Sequence, residues 1–138
     1  MAFGSFDILH PGHVDYLSKA KHLGDFLIVV VARDSSIKAI KGKTPFFDEN
    51  ERLLMVKSLK IVDSAVIGST MKTDDDKYSI VKKFRPDIVA FGYDQKVDMR
   101  GFKDWLKKNG MTLRIVKMKY GLGIDKYKSS KVRRILEL

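Results

Sequence analysis

The sequence predicts an α/β chain with a single doubly wound parallel sheet, and three observations carry that prediction. Strand-like and helix-like segments alternate from end to end, which is the pattern of parallel strands joined by right-handed crossovers. Phe26-Leu27-Ile28-Val29-Val30-Val31 is continuously apolar, as expected of a strand covered on both faces. Gly4-Ser5-Phe6-Asp7-Ile8-Leu9-His10-Pro11-Gly12-His13 sets a glycine-containing turn between a strand and a helix. In such sheets ligands bind beyond the carboxyl ends of the strands, where strand order reverses.

Each element has its own justification. Only Met1-Ala2-Phe3 precede Gly4; so short a lead for a central strand predicts that the natural chain starts upstream of Met1. A helix is expected over 11–22 and a strand over 26–31. A lysine-rich loop follows, with Lys38, Lys41 and Lys43. The next helix, over 48–59, opens with Asp48 and Glu51 in capping-box spacing. Shorter apolar runs predict strands over 64–67, 88–91 and 113–116, with helices over 76–84 and 100–109 between them. Gly24 and Gly110 lie just past helix ends, where a left-handed residue is expected. Ser129 and Ser130 are good N-caps for a last helix running through 135.

Bulk properties narrow the function classes. A chain of 138 residues, 44% hydrophobic and 32% charged, is expected to form one globular domain over 1–138. With no cysteine, disulfide scaffolds, thiolate nucleophiles and thiolate metal sites are excluded. No apolar run approaches a membrane span and no basic-then-apolar leader opens the chain, so a cytoplasmic protein is expected. The formal charge of +10 suits a polyanionic ligand, either nucleotide or nucleic acid.

The chemistry centres on the first turn of the first helix. A helix N-terminus offers unpaired N–H groups and the positive end of its dipole to phosphate. Pro11 suits that turn because its missing N–H needs no partner, and Gly12 clears room for close approach. His10 and His13 add donors that can gain charge as phosphoryl oxygens do. A His-x-x-His pair also fits a metal site or two core histidines, and the motif alone leaves these open. Lys38, Lys41 and Lys43 follow the second strand and so share the ligand edge of the sheet. Arg52 heads the next helix, within reach of the same edge. Asp94 ends the fourth strand, suiting either a ribose or base contact through its carboxylate or a turn cap. Ser129 and Ser130, flanked by Lys128 and Lys131, form a second helix start able to grip phosphate. No carboxylate pair, Ser-His-Asp order or nucleophile elbow stands out. The mechanism therefore need not be covalent: an acceptor phosphate would attack a nucleotide α-phosphorus in line and expel pyrophosphate, with a divalent ion, Mg²⁺, expected to bridge the phosphates.

Gly4-Ser5-Phe6-Asp7-Ile8-Leu9-His10-Pro11-Gly12-His13 resembles the GTFDxLHxGH signature of the cytidylyltransferase-like nucleotidyltransferases. Lys128-Ser129-Ser130-Lys131 sits where that family carries an ISTTKI-type signature. The resemblance spans nearly the whole chain and is greatest to the archaeal FAD synthases. That closer similarity rests on Val31-Ala32-Arg33-Asp34, Lys41-Gly42-Lys43-Thr44-Pro45, Arg52-Leu53-Leu54-Met55-Val56 and Gly92-Tyr93-Asp94-Gln95, among other stretches. It implies a Rossmann-like nucleotidyltransferase fold, ATP and FMN as substrates, and a homodimer. It also implies that Gly4, Ser5, Phe6, His10, Pro11, Gly12 and His13 surround ATP, with both histidines and Lys41 stabilising the transition state. Asp94 would hold the nucleotide, while Ser129 and Ser130 take its phosphates. Lys43 and Arg52 would face the acceptor phosphate. An Arg usual before the second signature is absent, leaving Lys119 and Tyr120 nearby. Ser5 replaces the usual Thr but keeps the hydroxyl, and a cysteine pair of some archaeal FAD synthases is missing.

Two alternatives stand beside this reading. The same signatures serve CTP- or ATP-dependent transfer to glycerol 3-phosphate or a sugar phosphate, and only the acceptor pocket separates these. Phe46, Phe47, Tyr93 and Tyr120 are available to cover a flavin ring. A nucleic-acid-binding module would account for the charge but leaves the phosphate-gripping helix starts unexplained.

Overall fold

The computed structural model describes residues 1–119. The expected last helix, together with Tyr120, Lys128, Ser129, Ser130 and Lys131, lies outside the described residues. The element order is β1 (Ala2–Gly4), α1 (Pro11–Lys21), β2 (Ile28–Val31), α2 (Asp34–Lys41), α3 (Glu49–Lys57), β3 (Ser64–Ile67), α4 (Asp74–Phe84), β4 (Ile88–Phe91), α5 (Met99–Lys108) and β5 (Arg114–Lys117). The strands form a five-stranded sheet in the order β3-β2-β1-β4-β5. Every pair is parallel. Strand order reverses between β1 and β4, so the ligand crevice opens beyond the carboxyl ends of those two strands.

Alternate residues of each strand feed two separate cores. Ala2, Val29, Val31, Ala65 and Ala90 pack with Leu17 and Ala20 of α1 and Val56 of α3. Val30, Val89 and Phe91 face the other way, onto Ile80 and Val81 of α4 and Phe102, Trp105 and Leu106 of α5. Both faces of β2 are therefore dry, as its unbroken apolar run requires. Each fully buried Leu, Val or Phe contributes roughly 1.5–3 kcal/mol of transfer free energy.

Local signals account for most boundaries. Asp48 Oδ1 accepts from the N–H groups of Asn50 (2.8 Å) and Glu51 (2.9 Å), and Glu51 Oε2 accepts from Asp48 N–H (2.9 Å). This closes the expected capping box. Three expectations are corrected. The lysine-rich segment is not a loop: α2 begins as Glu49 Oε2 accepts the Asp34 N–H (2.9 Å), buries Ser36 and Ile37, and ends at left-handed Gly42 (φ 65). The strand expected from residue 26 begins at Ile28, because the Leu27 N–H is taken by the Asp63 carboxylate (2.6 Å) and Phe26 stays exposed. Gly110 adopts the expected left-handed conformation (φ 61), but Gly24 does not. Instead α1 closes with tight turns, Leu23 N–H to Ala20 O and Gly24 N–H to Lys21 O.

Candidate functional site

The chain leaves β1 at Gly4 and reaches α1 through a strained loop. Phe6 is left-handed (φ 52) and buried, a conformation that costs a bulky residue on the order of 1–2 kcal/mol. Its ring lies directly against Gly4, where a Cβ would meet Phe6 Cζ at 2.6 Å. A side chain at position 4 would thus have to displace the buried Phe6 ring, before any ligand arrives. The strain is held by neighbours on every side. Phe6 meets the His13 ring edge-on at 5.4 Å. The preceding carbonyl, Ser5 O, accepts from Arg52 Nη1 at 2.6 Å. The following residue, Asp7, is buried, and its Oδ1 accepts from Phe46 N–H (2.8 Å) and Phe47 N–H (3.1 Å).

His10 caps α1 in an extended conformation (φ −145, ψ 167), and His13 stands at the third helical position. The two rings stack with centroids 3.8 Å apart and 18° between planes. His13 Nδ1 accepts the His10 N–H at 3.4 Å, a long bond that leaves Nε2 as the proton-bearing nitrogen of the neutral ring. Burial first, then the proximity of His10 and Lys41, pushes the His13 imidazole down to about 3. His10 is also lowered, chiefly by burial, while the Asp94 carboxylate and its own backbone push it back up. Both rings are therefore proton-poor at neutral pH. An anion placed beside the two rings would favour their charged forms and so raise both. Among the described residues no group of three His, Cys, Asp or Glu is placed to hold a metal ion.

The basic rim comes from α2 and its exit. Lys41 Nζ reaches Ser5 Oγ at 3.3 Å, bringing it to the histidine loop. Lys38 is exposed on the same helix, and Lys43 is exposed just beyond Gly42. Asp94 is exposed in the turn after β4, close enough to His10 to influence its charge. Pro11 and Gly12 form the first turn of α1, as expected.

Arg52 departs from its expected place facing an acceptor phosphate. Its side chain is 0% exposed, and it donates to Phe47 O (Nε, 3.0 Å), Ser5 O (Nη1, 2.6 Å) and Asp34 Oδ1 (Nη2, 2.7 Å). A guanidinium buried this deeply needs such partners to offset its desolvation. Arg52 is a brace that ties the histidine loop to the segment before α3 and to the start of α2.

Three polar residues of the site went unnoticed in the sequence: Asp7, Tyr16 and Gln95. Strands β1 and β4 share only the Ala2–Ala90 register and then diverge. Side chains satisfy the backbone groups left open there. Tyr16 OH donates to Ala90 O (2.8 Å), lies 3.1 Å from Phe3 O, and accepts the Phe3 N–H (3.2 Å). Complete burial pushes its hydroxyl far above the usual phenol range. Gln95 donates from Nε2 to Phe3 O (2.6 Å) and accepts the Gly92 N–H at Oε1 (2.7 Å), while Lys117 Nζ donates to Gln95 O. The turn bearing Asp94 is thereby pinned to the end of β1. Only for Asp7, inside the first signature, did a sequence signal exist; Tyr16 reads as an ordinary helix residue and Gln95 as an ordinary turn residue.

Comparison with known proteins gives this geometry a context. The cytidylyltransferase-like family profile matches residues 1–135. An FAD synthase of Aciduliprofundum boonei is 49% identical over 122 residues, covering 88% of this chain and 78% of the relative. An FAD synthase of Thermoplasma volcanium is 44% identical over 138 residues, covering 100% of this chain and 94% of the relative. Among solved structures, a lipopolysaccharide core biosynthesis protein from Thermoplasma volcanium is 47% identical with a TM-score of 0.78, over 87% of this chain and 95% of that one. With the signature histidines at the crevice of a five-stranded parallel sheet, and the match running nearly end to end, the chain belongs to the cytidylyltransferase-like family.

Proposed function

We propose that this chain transfers the adenylyl group of ATP to the phosphate of FMN, giving FAD and pyrophosphate. The observation that carries the reading is the stacked, proton-poor histidine pair at the start of α1, with Lys41 on Ser5 Oγ, beside the crevice between β1 and β4. The names of the relatives support the choice of FMN as acceptor.

In the proposed reaction a phosphate oxygen of FMN attacks the α-phosphorus of ATP. The new P–O bond forms as the bond to the β-phosphate bridging oxygen breaks, and that electron pair leaves with pyrophosphate. The N–H groups of the α1 start, with Nε2 of His13 and the His10 ring, receive the negative charge on the nucleotide phosphates. Lys41 neutralises the reacting centre, and Lys43 draws in the acceptor phosphate. Asp94 holds the ribose, Ser129 and Ser130 take the outer phosphates, and Tyr120 also binds the nucleotide. The donors on α1 and α2 fit phosphate oxygens, so a divalent ion, Mg²⁺, would be held mainly by the triphosphate itself. When bound, such an ion would supply charge neutralisation to the phosphates. Among the described residues no helix is long and apolar enough to cross a membrane, and the reading places the enzyme in the cytoplasm as a homodimer, a state that sedimentation equilibrium measures.

The test is pyrophosphate release with Mg²⁺, crossing ATP and CTP against FMN, glycerol 3-phosphate and a sugar phosphate. ATP with FMN should give FAD and pyrophosphate in equal amounts. Turnover only with another pair would overturn the flavin assignment. Silence in every pair from folded protein would overturn nucleotidyl transfer.

A further inference from the structure

Two phenylalanines stand among the exposed large apolar side chains of the described residues, Phe26 (64% exposed) and Phe46 (48%). Phe26 precedes β2 and so lies at the amino edge of the sheet, away from the crevice. Phe46 lies at the opposite edge, tied to the histidine loop through Asp7.

Exposed aromatic side chains are ordinary, but the anchoring of this one is not. Its own N–H and that of Phe47 both donate to the single buried oxygen Asp7 Oδ1 (2.8 and 3.1 Å). The Phe47 carbonyl accepts from Arg52, and the same guanidinium holds Ser5 O. Pro45, just before it, is buried. The Phe46 ring then meets the Phe47 ring edge-on at 4.8 Å and 85°. The backbone that carries the ring is thus held, and the ring itself stays open to another partner. A surface ordered in advance in this way loses little further freedom when a ligand covers it.

We infer that Phe46 is the stacking platform for the flat heteroaromatic ring of the acceptor, and so sets the preference for a flavin over a sugar or polyol phosphate. This rests on the function proposed above and deepens it. Lys41 and Lys43 precede Phe46 on the same short stretch of chain, with Lys41 at the histidine loop. Lys41 and the Phe46 backbone both meet the histidine loop, at Ser5 and Asp7, so an acceptor whose phosphate is at Lys41 can extend to Phe46. A flat ring gains from stacking there, whereas a polyol has no π face to offer. Aromatic stacking of this kind is worth about tenfold to a hundredfold in affinity.

The test compares steady-state kinetics of the wild type with F46A, F46W and the distant control F26A. Expected for F46A is a KM for FMN raised about tenfold or more, with the KM for ATP and kcat at saturating FMN within about twofold. F46W should restore the FMN value, and F26A should match the wild type. Quenching of flavin fluorescence on binding, strong in the wild type and F46W, should be weak in F46A. An unchanged KM for FMN in a folded F46A that still makes FAD would overturn this inference and leave the flavin reading intact. A raised KM for ATP instead would assign the ring to the nucleotide and overturn it equally. Absence of FAD synthesis in the wild type would remove both.

Discussion

On the α4–α5 face of the sheet, Val81, Val89, Phe91, Phe102 and Trp105 pack against one another, with Tyr78 tilted 4.9 Å from Phe102. The polar groups there act mainly as caps and ties, such as Asp98 accepting the Gly101 N–H and Trp105 Nε1 donating to Asp75. The α1–α3 face has an equally dry centre, but its upper edge holds a left-handed Phe6, a buried Arg52 and a buried Asp7. Both faces use the same parallel strands and the same apolar alternation. The difference is that one is optimised for packing, while the other spends a hydrogen-bond network on keeping a strained loop in one shape. That is where an anion-binding site needs rigidity, since donors must be aimed before charge develops.

Substitutions on the two sides should separate activity from stability. The largest effect is expected for His13→Ala, about 10²–10⁴-fold in turnover with the fold retained; near-normal kcat would take His13 out of the reaction. Phe102→Ala, on the packing face, should do the reverse: about 3–5 kcal/mol of unfolding free energy lost, with kcat of the folded fraction preserved. Arg52→Met should do both. It leaves the carbonyls of Ser5 and Phe47 without their donor, costing about 2–3 kcal/mol by denaturant melts, and it frees the histidine loop, lowering kcat about tenfold or more. Unchanged kcat in that variant would show that the brace serves stability alone.

A smaller effect sharpens the same contrast through pH. His13 and His10 are held below the ordinary histidine value, so the unfolded chain binds more protons than the folded one between about pH 6.5 and the lowered values. Their contribution is fully present above that window and is lost as pH falls through it toward about 3. Subtracting the stability–pH curve of His13→Ala from that of the wild type should isolate this slope; superimposable curves would contradict the lowered value. Smallest of all, Gln95→Leu should cost about 1 kcal/mol in stability and raise the KM for ATP more than it lowers kcat, because it unpins the turn bearing Asp94.

How much of this was legible in the chain follows from range. The apolar run ending at Val31, the Asp48–Glu51 box and the His10–His13 spacing are local patterns, and each reappears in its expected element. Helix α2 was missed because it spans only eight residues and begins on a carboxylate, Glu49, that lies beyond its other end. Arg52 looks the same in sequence whether it turns out toward an anion or inward. What turns it inward is Asp34, Ser5 and Phe47, brought together only by the fold. Tyr16 and Gln95 matter because β1 and β4 diverge, and that divergence is a property of the sheet. Asp7 lies within the signature, but its partners lie some forty residues away.

Two proton-poor histidines at the head of α1 are expected to meet the nucleotide phosphates and gain charge there. NMR titration of the imidazole Cε1–H signals, with and without Mg²⁺ and a non-reacting ATP analogue, tests it most directly. In the free protein His10 should titrate below the ordinary histidine value and His13 should stay neutral down to about pH 4 or lower, and the analogue should move both upward. Ordinary titration near 6.5 for both, unmoved by the analogue, would contradict it.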